Sequence, residues 1–241
     1  MTQYVYGKNV VRQILSSEKK IYEVLMLEQS NDLQLKKDIE NAGLKITSLS
    51  RKKMDALFPG AQHQGIAVKI DEYKTYSIEE IIASIPKDKM PLFVMLDGLE
   101  DPHNLGAILR TCDAVGVDGV IIGKHRSVSL TSTVAKVSTG AIDTIKVAMV
   151  TNLAQTLQQL KKAGYWVAAA DLQDSIDYRK GRYDSPLVLV IGSEGFGISP
   201  LVKKNCDFTI ALPMEGTITS LNASVACGII LYEIYNQRHK L

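Results

Sequence analysis

Only three cysteines stand in the 241 residues. Cys112, Cys206 and Cys227 are far apart, lie in apolar-periodic contexts and show no metal-ligand spacing. A disulfide framework is therefore excluded, and buried free thiols in a reducing compartment are expected. A dominant sign of charge is also missing. The 28 Lys and Arg nearly balance 26 Asp and Glu, leaving a formal charge of +2. Any nucleic-acid contact must come from a local patch rather than a global field. No apolar run approaches the length of a membrane span, and the N-terminal stretch lacks a signal-peptide core. The expectation is a cytoplasmic protein with no membrane partner. No His/Cys or carboxylate cluster is present, so no metal is expected. Internal repeats and low-complexity tracts are absent as well.

What is present is ordinary for a globular chain: 46% hydrophobic and 22% charged residues, long enough for one large or two small domains. Residues 1–72 read as a small α/β unit. Lys8–Ser16 carries Val10, Val11, Ile14 and Leu15 on one helical face, and Ile21–Leu27 is a strand-like run. Asp32–Ala42 is a charged helix ended by Gly43, and Lys45–Leu49 a second strand. Ser50 caps a short helix to Leu57, and Gly65–Ile70 is a third strand. Residues 73–91 read as a linker holding one short helix that starts at the capping box Ser77-Ile-Glu-Glu80 and ending in the polar stretch Pro86–Pro91.

Residues 92–241 alternate apolar strands and helices, the pattern of a parallel sheet covered on both faces. Strands are expected at Leu92–Leu96, Gly119–Ile122, Ile145–Val147, Trp166–Ala170, Leu187–Ile191 and Phe208–Ala211. Helices are expected at Asn104–Val115, Ser132–Ser138, Asn152–Ala163 and after Ser199-Pro200, with a last one after Ser220 or Asn222, either of which suits an N-cap. In that last helix Leu221, Val225, Ile229 and Tyr232 have the spacing of a buried stripe.

Three apolar segments each empty into a glycine-bearing loop. Leu92–Leu96 leads to Asp97-Gly-Leu-Glu-Asp-Pro-His-Asn104 and on to Arg110. Leu187–Ile191 leads to Gly192-Ser-Glu194-Gly-Phe-Gly197. Phe208–Ala211 leads to Leu212-Pro-Met-Glu-Gly216 and on to Ser220-Leu-Asn222. Ligand loops on an open α/β sheet are delivered to one end in this way. Together and in this order, the three stretches resemble the motifs of the SpoU (TrmH) family of RNA ribose 2′-O-methyltransferases, in the SPOUT superfamily. The resemblance covers roughly Pro91 to the C-terminus. The first unit is similar to the ribosomal-protein-like (L30e-like) substrate domain found in many SpoU enzymes, and Gln62-His63-Gln64-Gly65 fits that likeness.

The resemblance implies an α/β SPOUT domain with a C-terminal trefoil knot, dimerisation through that domain, and S-adenosyl-L-methionine as methyl donor. Gly192, Leu212 and Leu221 match the donor-contact positions. A glycine lets the main chain approach closely, and the leucines supply apolar walls. Asn104, Arg110, Glu194, Ser220 and Asn222 match the catalytic positions. Leu105, Ile108, Cys112 and Val115 form the buried stripe of the Arg110 helix and put Arg110 on the other side. A guanidinium stays protonated, so the role open to Arg110 is to clamp the target phosphate and stabilise a developing alkoxide. Glu194 is either a proton acceptor or an orienting group. Lys8, Arg12, Arg51, Lys52 and Lys53 read either as phosphate contacts or as solvated helix faces. The separate first unit turns the expectation toward guanosine in 23S ribosomal RNA. A tRNA ribose methyltransferase and a non-catalytic RNA-binding assembly factor are the alternatives.

Overall fold

The computed structural model describes every residue except 1, 18, 126, 219, 240 and 241. The chain divides after Tyr73 into two units, 1–73 and 74–241.

The first unit runs β1 (Thr2–Tyr6), α1 (Lys8–Leu15), β2 (Ile21–Leu27), α2 (Leu33–Asn41), β3 (Ile46–Leu49), α3 (Arg51–Leu57) and β4 (Ile66–Asp71). Its sheet has the order β1-β4-β2-β3, with β1 and β2 antiparallel to β4 and β3 parallel to β2. Val10, Val11 and Ile14 are the buried face of α1, as their spacing requires. Asp32 caps α2 by accepting from the Leu35 N–H at 3.1 Å. Gly43, at φ 72°, follows that helix in the left-handed conformation. Strand β1 has no counterpart in the sequence reading. Pairing along β4 from Thr2↔Asp71 to Tyr6↔Ala67 defines the strand.

The second unit runs α4 (Ile78–Ala83), β5 (Leu92–Asp97), α5 (Pro102–Val115), β6 (Gly119–Gly123), α6 (Ser132–Ser138), α7 (Ala141–Thr144), β7 (Val147–Val150), α8 (Leu153–Lys162), β8 (Trp166–Ala170), β9 (Ile176–Asp177), β10 (Leu187–Gly192), α9 (Pro200–Lys203), β11 (Phe208–Ala211) and α10 (Ala223–Arg238). Its seven strands lie in the order β7-β6-β5-β10-β8-β11-β9, and every pair is parallel. Strands buried on both faces read as continuous apolar runs. Leu92–Leu96 and Leu187–Ile191 are accordingly buried throughout.

Three expectations are corrected here. The stretch 73–91 is not a free linker. Its Ser77 capping box forms, with the Glu80 N–H donating to Ser77 Oγ at 3.1 Å and the Ser77 N–H to Glu80 Oε2 at 2.7 Å. Behind it, however, Ile78 and Ile81 are buried in the core with Phe93 and Tyr165. Two isoleucines one turn apart need an apolar surface, and the second unit provides it. The strand expected at Ile145–Val147 begins at Val147, because Ile145 ends the unforeseen turn of helix α7. The third correction concerns α10. Val225, Ile229 and Tyr232 are 49%, 39% and 51% exposed, and Leu221, just before the helix, is 37% exposed. The buried residues are Ala223, Cys227, Ile230, Leu231 and Ile234. The helix is apolar all round, so periodicity cannot tell its core face from its outer face.

Candidate functional site

The sheet brings the three glycine-bearing loops to one end. A cavity of about 440 Å³ opens past the carboxyl ends of β8, β10 and β11, the size of a pocket for a small organic ligand. Residues just beyond each strand line it: Asp171 after β8, Gly192 to Gly195 and Gly197 around the end of β10, and Leu212 and Met214 after β11. Leu221, Ala226 and Ile230 close it from the α10 side. Gly192, Leu212 and Leu221, matched to the donor positions, thus share one cavity, and Ser220 and Glu194 line it too.

The loop after β10 is a tight turn. The Ser193 N–H donates to the Gly197 carbonyl at 3.0 Å and the Gly197 N–H to the Ser193 carbonyl at 2.9 Å. Gly195 and Gly197 take φ 94° and 66°, a region that glycine enters at little cost. The turn folds back onto Gly192, where an added Cβ would lie 2.2 Å from the Gly197 carbonyl carbon. Asp97, at the end of β5, accepts from the Ser199 N–H at 2.7 Å and ties the first loop to the second.

Asn104, Glu194 and Asn222 meet at the cavity wall. Glu194 Oε1 accepts from Asn104 Nδ2 at 3.0 Å, Asn222 Nδ2 at 2.6 Å and the Ala223 N–H at 3.2 Å. Asn222 Nδ2 also donates to Asn104 Oδ1 at 2.9 Å. On its other side Asn222 Oδ1 caps α10, accepting from the N–H groups of Ser224 and Val225 at 3.0 and 3.3 Å. Those donors fix which end of the Asn222 amide faces Glu194. Asn222, not Ser220, is therefore the cap.

Arg110 stands on the exposed side of α5, opposite the buried Leu105, Ile108, Cys112 and Val115. It is outside the cavity lining, and no side-chain hydrogen bond or ion pair engages it among the described residues. Burial pushes the thiols of Cys206 and Cys227 up to about 12 and that of Cys112 well above its ordinary value. All three remain neutral at physiological pH and are unsuited to nucleophilic work. Among the described residues no group of three His, Cys, Asp or Glu could hold a metal ion.

No motif points to Asp171, yet it lines the cavity. Its Oδ1 accepts from Lys203 Nζ at 3.0 Å and the Gln173 N–H at 2.9 Å, which leaves Oδ2 for a ligand. A carboxylate directly after a parallel strand is the signal that could have found it.

In the first unit, Lys8, Arg12 and Arg51 line one hollow with Asp55 and Gln62 to Gly65, whereas Lys52 and Lys53 do not. Lys8 and Arg12 both pair with Asp32, at 3.3 and 2.8 Å. The Leu35 N–H, and then these cations, hold the Asp32 carboxyl below the usual carboxylate range. His63 is buried and fixes the Gln62–Gly65 turn. Its Nδ1 accepts from the Gly65 N–H at 3.0 Å, which leaves Nε2 to donate to Asp55 at 2.8 Å.

Comparison with known proteins adds the following. The model of the SpoU rRNA methylase family matches residues 91–232, and a model described as RNA 2′-O ribose methyltransferase substrate binding matches residues 4–76. A Bacillus subtilis protein assigned to the TrmH family of tRNA/rRNA methyltransferases, YacO, is 48% identical over 240 residues, 98% of this chain and 96% of its own. The structure of an AdoMet-bound rRNA methyltransferase from Sinorhizobium meliloti aligns at a TM-score of 0.71 and 25% identity, covering 100% of this chain and 88% of that one. A TrmH/SpoU tRNA modifying enzyme from A. aeolicus aligns at 0.57 and 34% identity, over 66% of this chain and 81% of its own.

The packing around Gly192 makes it the least replaceable position in the turn. Gly192→Ala is expected to cost about 1–3 kcal/mol by overpacking against Gly197. Urea unfolding of the full chain measures this, and a midpoint equal to that of the unaltered protein would show that the turn yields freely.

Proposed function

Since the chain belongs to the SpoU rRNA methylase family, we propose that it transfers a methyl group from S-adenosyl-L-methionine to the ribose 2′-OH of a guanosine in 23S ribosomal RNA. The observation that carries this reading is that the loops after β10 and β11 line one cavity, and that Asn104, which follows the first loop, is hydrogen-bonded to Glu194 and Asn222 beside it.

The cavity suits such a donor. Leu212 and Leu221, with Ile191 and Ile230, give the apolar walls that a purine needs. Gly192 presents main chain rather than a side chain, and Asp171 Oδ2 is an acceptor for ribose hydroxyls. When bound, the donor supplies an electrophilic methyl group on a sulfonium centre. The protein's task is then to hold the 2′-OH in line with that methyl and to manage one proton. Arg110, with five N–H donors and no carboxylate partner among the described residues, grips the phosphate next to the target ribose and offsets negative charge developing on the 2′-oxygen. The hydroxyl proton leaves to a phosphate oxygen or to water as the new C–O bond forms and the C–S bond breaks. Glu194 acts as a positioning residue: three donors occupy its Oε1, and Asn104 and Asn222 take their orientation from it. Ser220 lies at the cavity lining, where it can meet the ribose.

The ribosomal target is supported by coverage. The Sinorhizobium rRNA enzyme aligns over the whole chain, and the A. aeolicus tRNA enzyme over only two thirds of it. The first unit then holds RNA through phosphate contacts. Lys8 and Arg12, both paired with Asp32, contribute less there than the exposed Arg51, Lys52 and Lys53. The exposed apolar face of α10, with Val225, Ile229, Tyr232 and Tyr235, supports a homodimer. The reaction belongs in the cytoplasm, where RNA and donor are both at hand.

Mapping 2′-O-methylation across total RNA from cells with and without this protein tests the main reading: loss of one guanosine mark in 23S ribosomal RNA is expected. A lost tRNA mark would replace the target, and a missing donor-binding heat in calorimetry would leave only an RNA-binding scaffold. Arg110→Lys keeps the charge but not the fork, so methyl transfer should fall more than about tenfold, roughly 1.4 kcal/mol of barrier, at unchanged donor affinity. A smaller drop would end the clamp role. Ile229→Glu should turn a dimer into a monomer in sedimentation equilibrium, and an unaltered mass would move the contact elsewhere. Alanines at 51, 52 and 53 together should flatten the salt dependence of RNA binding; an unchanged slope would mean that these side chains only face solvent.

A further inference from the structure

The tip of the turn after β10 carries the most exposed large apolar side chain among the described residues: Phe196, at 95%. A single surface hydrophobic is ordinary on a mobile or unremarkable stretch. This one is neither on a loose segment nor far from the site. The paired bonds between Ser193 and Gly197 clamp the turn on both sides of it. The tight fit of Gly197 over Gly192 holds the turn against its own strand. Glu194, two residues earlier, is tied to Asn104 and Asn222. Glu194, Gly195 and Gly197 line the cavity and Phe196 does not, so the exposed ring stands at the cavity rim.

A phenyl ring offers no hydrogen bond. What it can offer at a rigid mouth is a flat face. If the cavity holds the methyl donor, the nucleotide to be methylated lies outside it, over the rim, with its base unstacked from its neighbours. RNA recognition depends on such splayed bases stacking on aromatic side chains, a contact available to every base because every base has a π-face. We propose that Phe196 is the stacking platform for a base of the substrate RNA at the active-site mouth, a positioning residue that sets where the target ribose sits. The proposal rests on the RNA methyltransferase reading above and adds a residue to it. The other occupant of an exposed ring would be a second copy of this chain, and the test separates the two.

Methyl transfer from labelled S-adenosyl-L-methionine is measured with the full chain, on total RNA from a strain lacking the protein. Phe196→Ala, Phe196→Leu and Phe196→Trp are compared with the unaltered chain. The side chain is exposed, so thermal midpoints should be equal. The expected result is a KM for RNA raised about tenfold or more in the Ala and Leu variants, on the scale of one lost base stack. The Trp variant should stay within about threefold, since any flat ring serves. Donor affinity by calorimetry and mass by light scattering should not move. The Trp variant should also show emission quenched on adding RNA. A Leu variant as good as Phe would overturn the proposal, because apolarity rather than the ring would matter. A weakened donor affinity would make Phe196 part of the donor site, and a changed mass would make it a subunit contact. Each of these removes the inference while the methyltransferase reading survives. No transfer by the unaltered chain would remove both.

Discussion

Oε1 of Glu194 is the single atom on which the site depends. Three donors reach it, from the start of α5, from the cap of α10 and from the first N–H of that helix. The loops they come from are delivered by different strands, and a parallel sheet alone leaves such loops independent of one another. Hydrogen bonds to a charged acceptor are worth about 1.5–3 kcal/mol each. Three of them suffice to give the cluster one arrangement. Asn104 is buried, so its Nδ2 would have no partner if the carboxylate were lost, and a buried unpaired donor costs about as much again.

The sheet explains why this cluster lies beside a cavity rather than in a core. Strands β5, β8, β10 and β11 are neighbours across the middle and one side of the sheet, and all point the same way. Their carboxyl ends therefore release the chain at one edge, where covering helices have not yet begun and a crevice remains. Asp97 and Ser199 bridge two of these exits at 2.7 Å. Close packing at Gly192 keeps the crevice from filling with side chains, since the turn that closes on it leaves no room for a Cβ.

Helix α10 joins the site to the rest of the second unit. Its first residues are held by Asn222 and, through Ala223, by Glu194. Its last turn is held by Arg238, whose guanidinium donates to the carbonyls of Tyr183 at 2.8 Å, Ser185 at 2.7 Å and Met90 at 3.0 Å. The helix is thus anchored at both ends by polar groups. Between them one face enters the core, with Cys227, Ile230, Leu231 and Ile234 buried. The opposite face keeps Val225, Ile229, Tyr232 and Tyr235 at the surface. The same helix also walls the cavity, through Ala223, Ala226 and Ile230.

Much of this was legible in the residues alone. Leu92–Leu96, Trp166–Ala170 and Leu187–Ile191 announce strands because burial on both faces requires unbroken apolar runs. Asp32, Asn152 and Ser77 announce helix starts because their side chains satisfy N–H groups that the helix cannot. The three motif loops could be named, and the resemblance matched Gly192, Leu212 and Leu221 to donor contacts; that Glu194 and Ser220 line the same cavity is a finding of the structure. Other features were not local properties at all. Strand β1 exists through its partner β4, Asp171 matters through where β8 ends, and 74–91 belongs to the second unit because Phe93 and Tyr165 cover its isoleucines. The outward turn of Val225, Ile229 and Tyr232 was hidden for the same reason: a helix apolar on every side carries no record of which side its own chain will cover. The sequence by itself determined most of the strands and helices, though not β1, α7 or β9, and which residues end their loops, since those follow from neighbours a few positions away. Which face is buried, and which loops meet at Glu194, only the tertiary structure decided, because both depend on contacts between residues far apart in the chain, 28 to 118 positions in the Glu194 cluster.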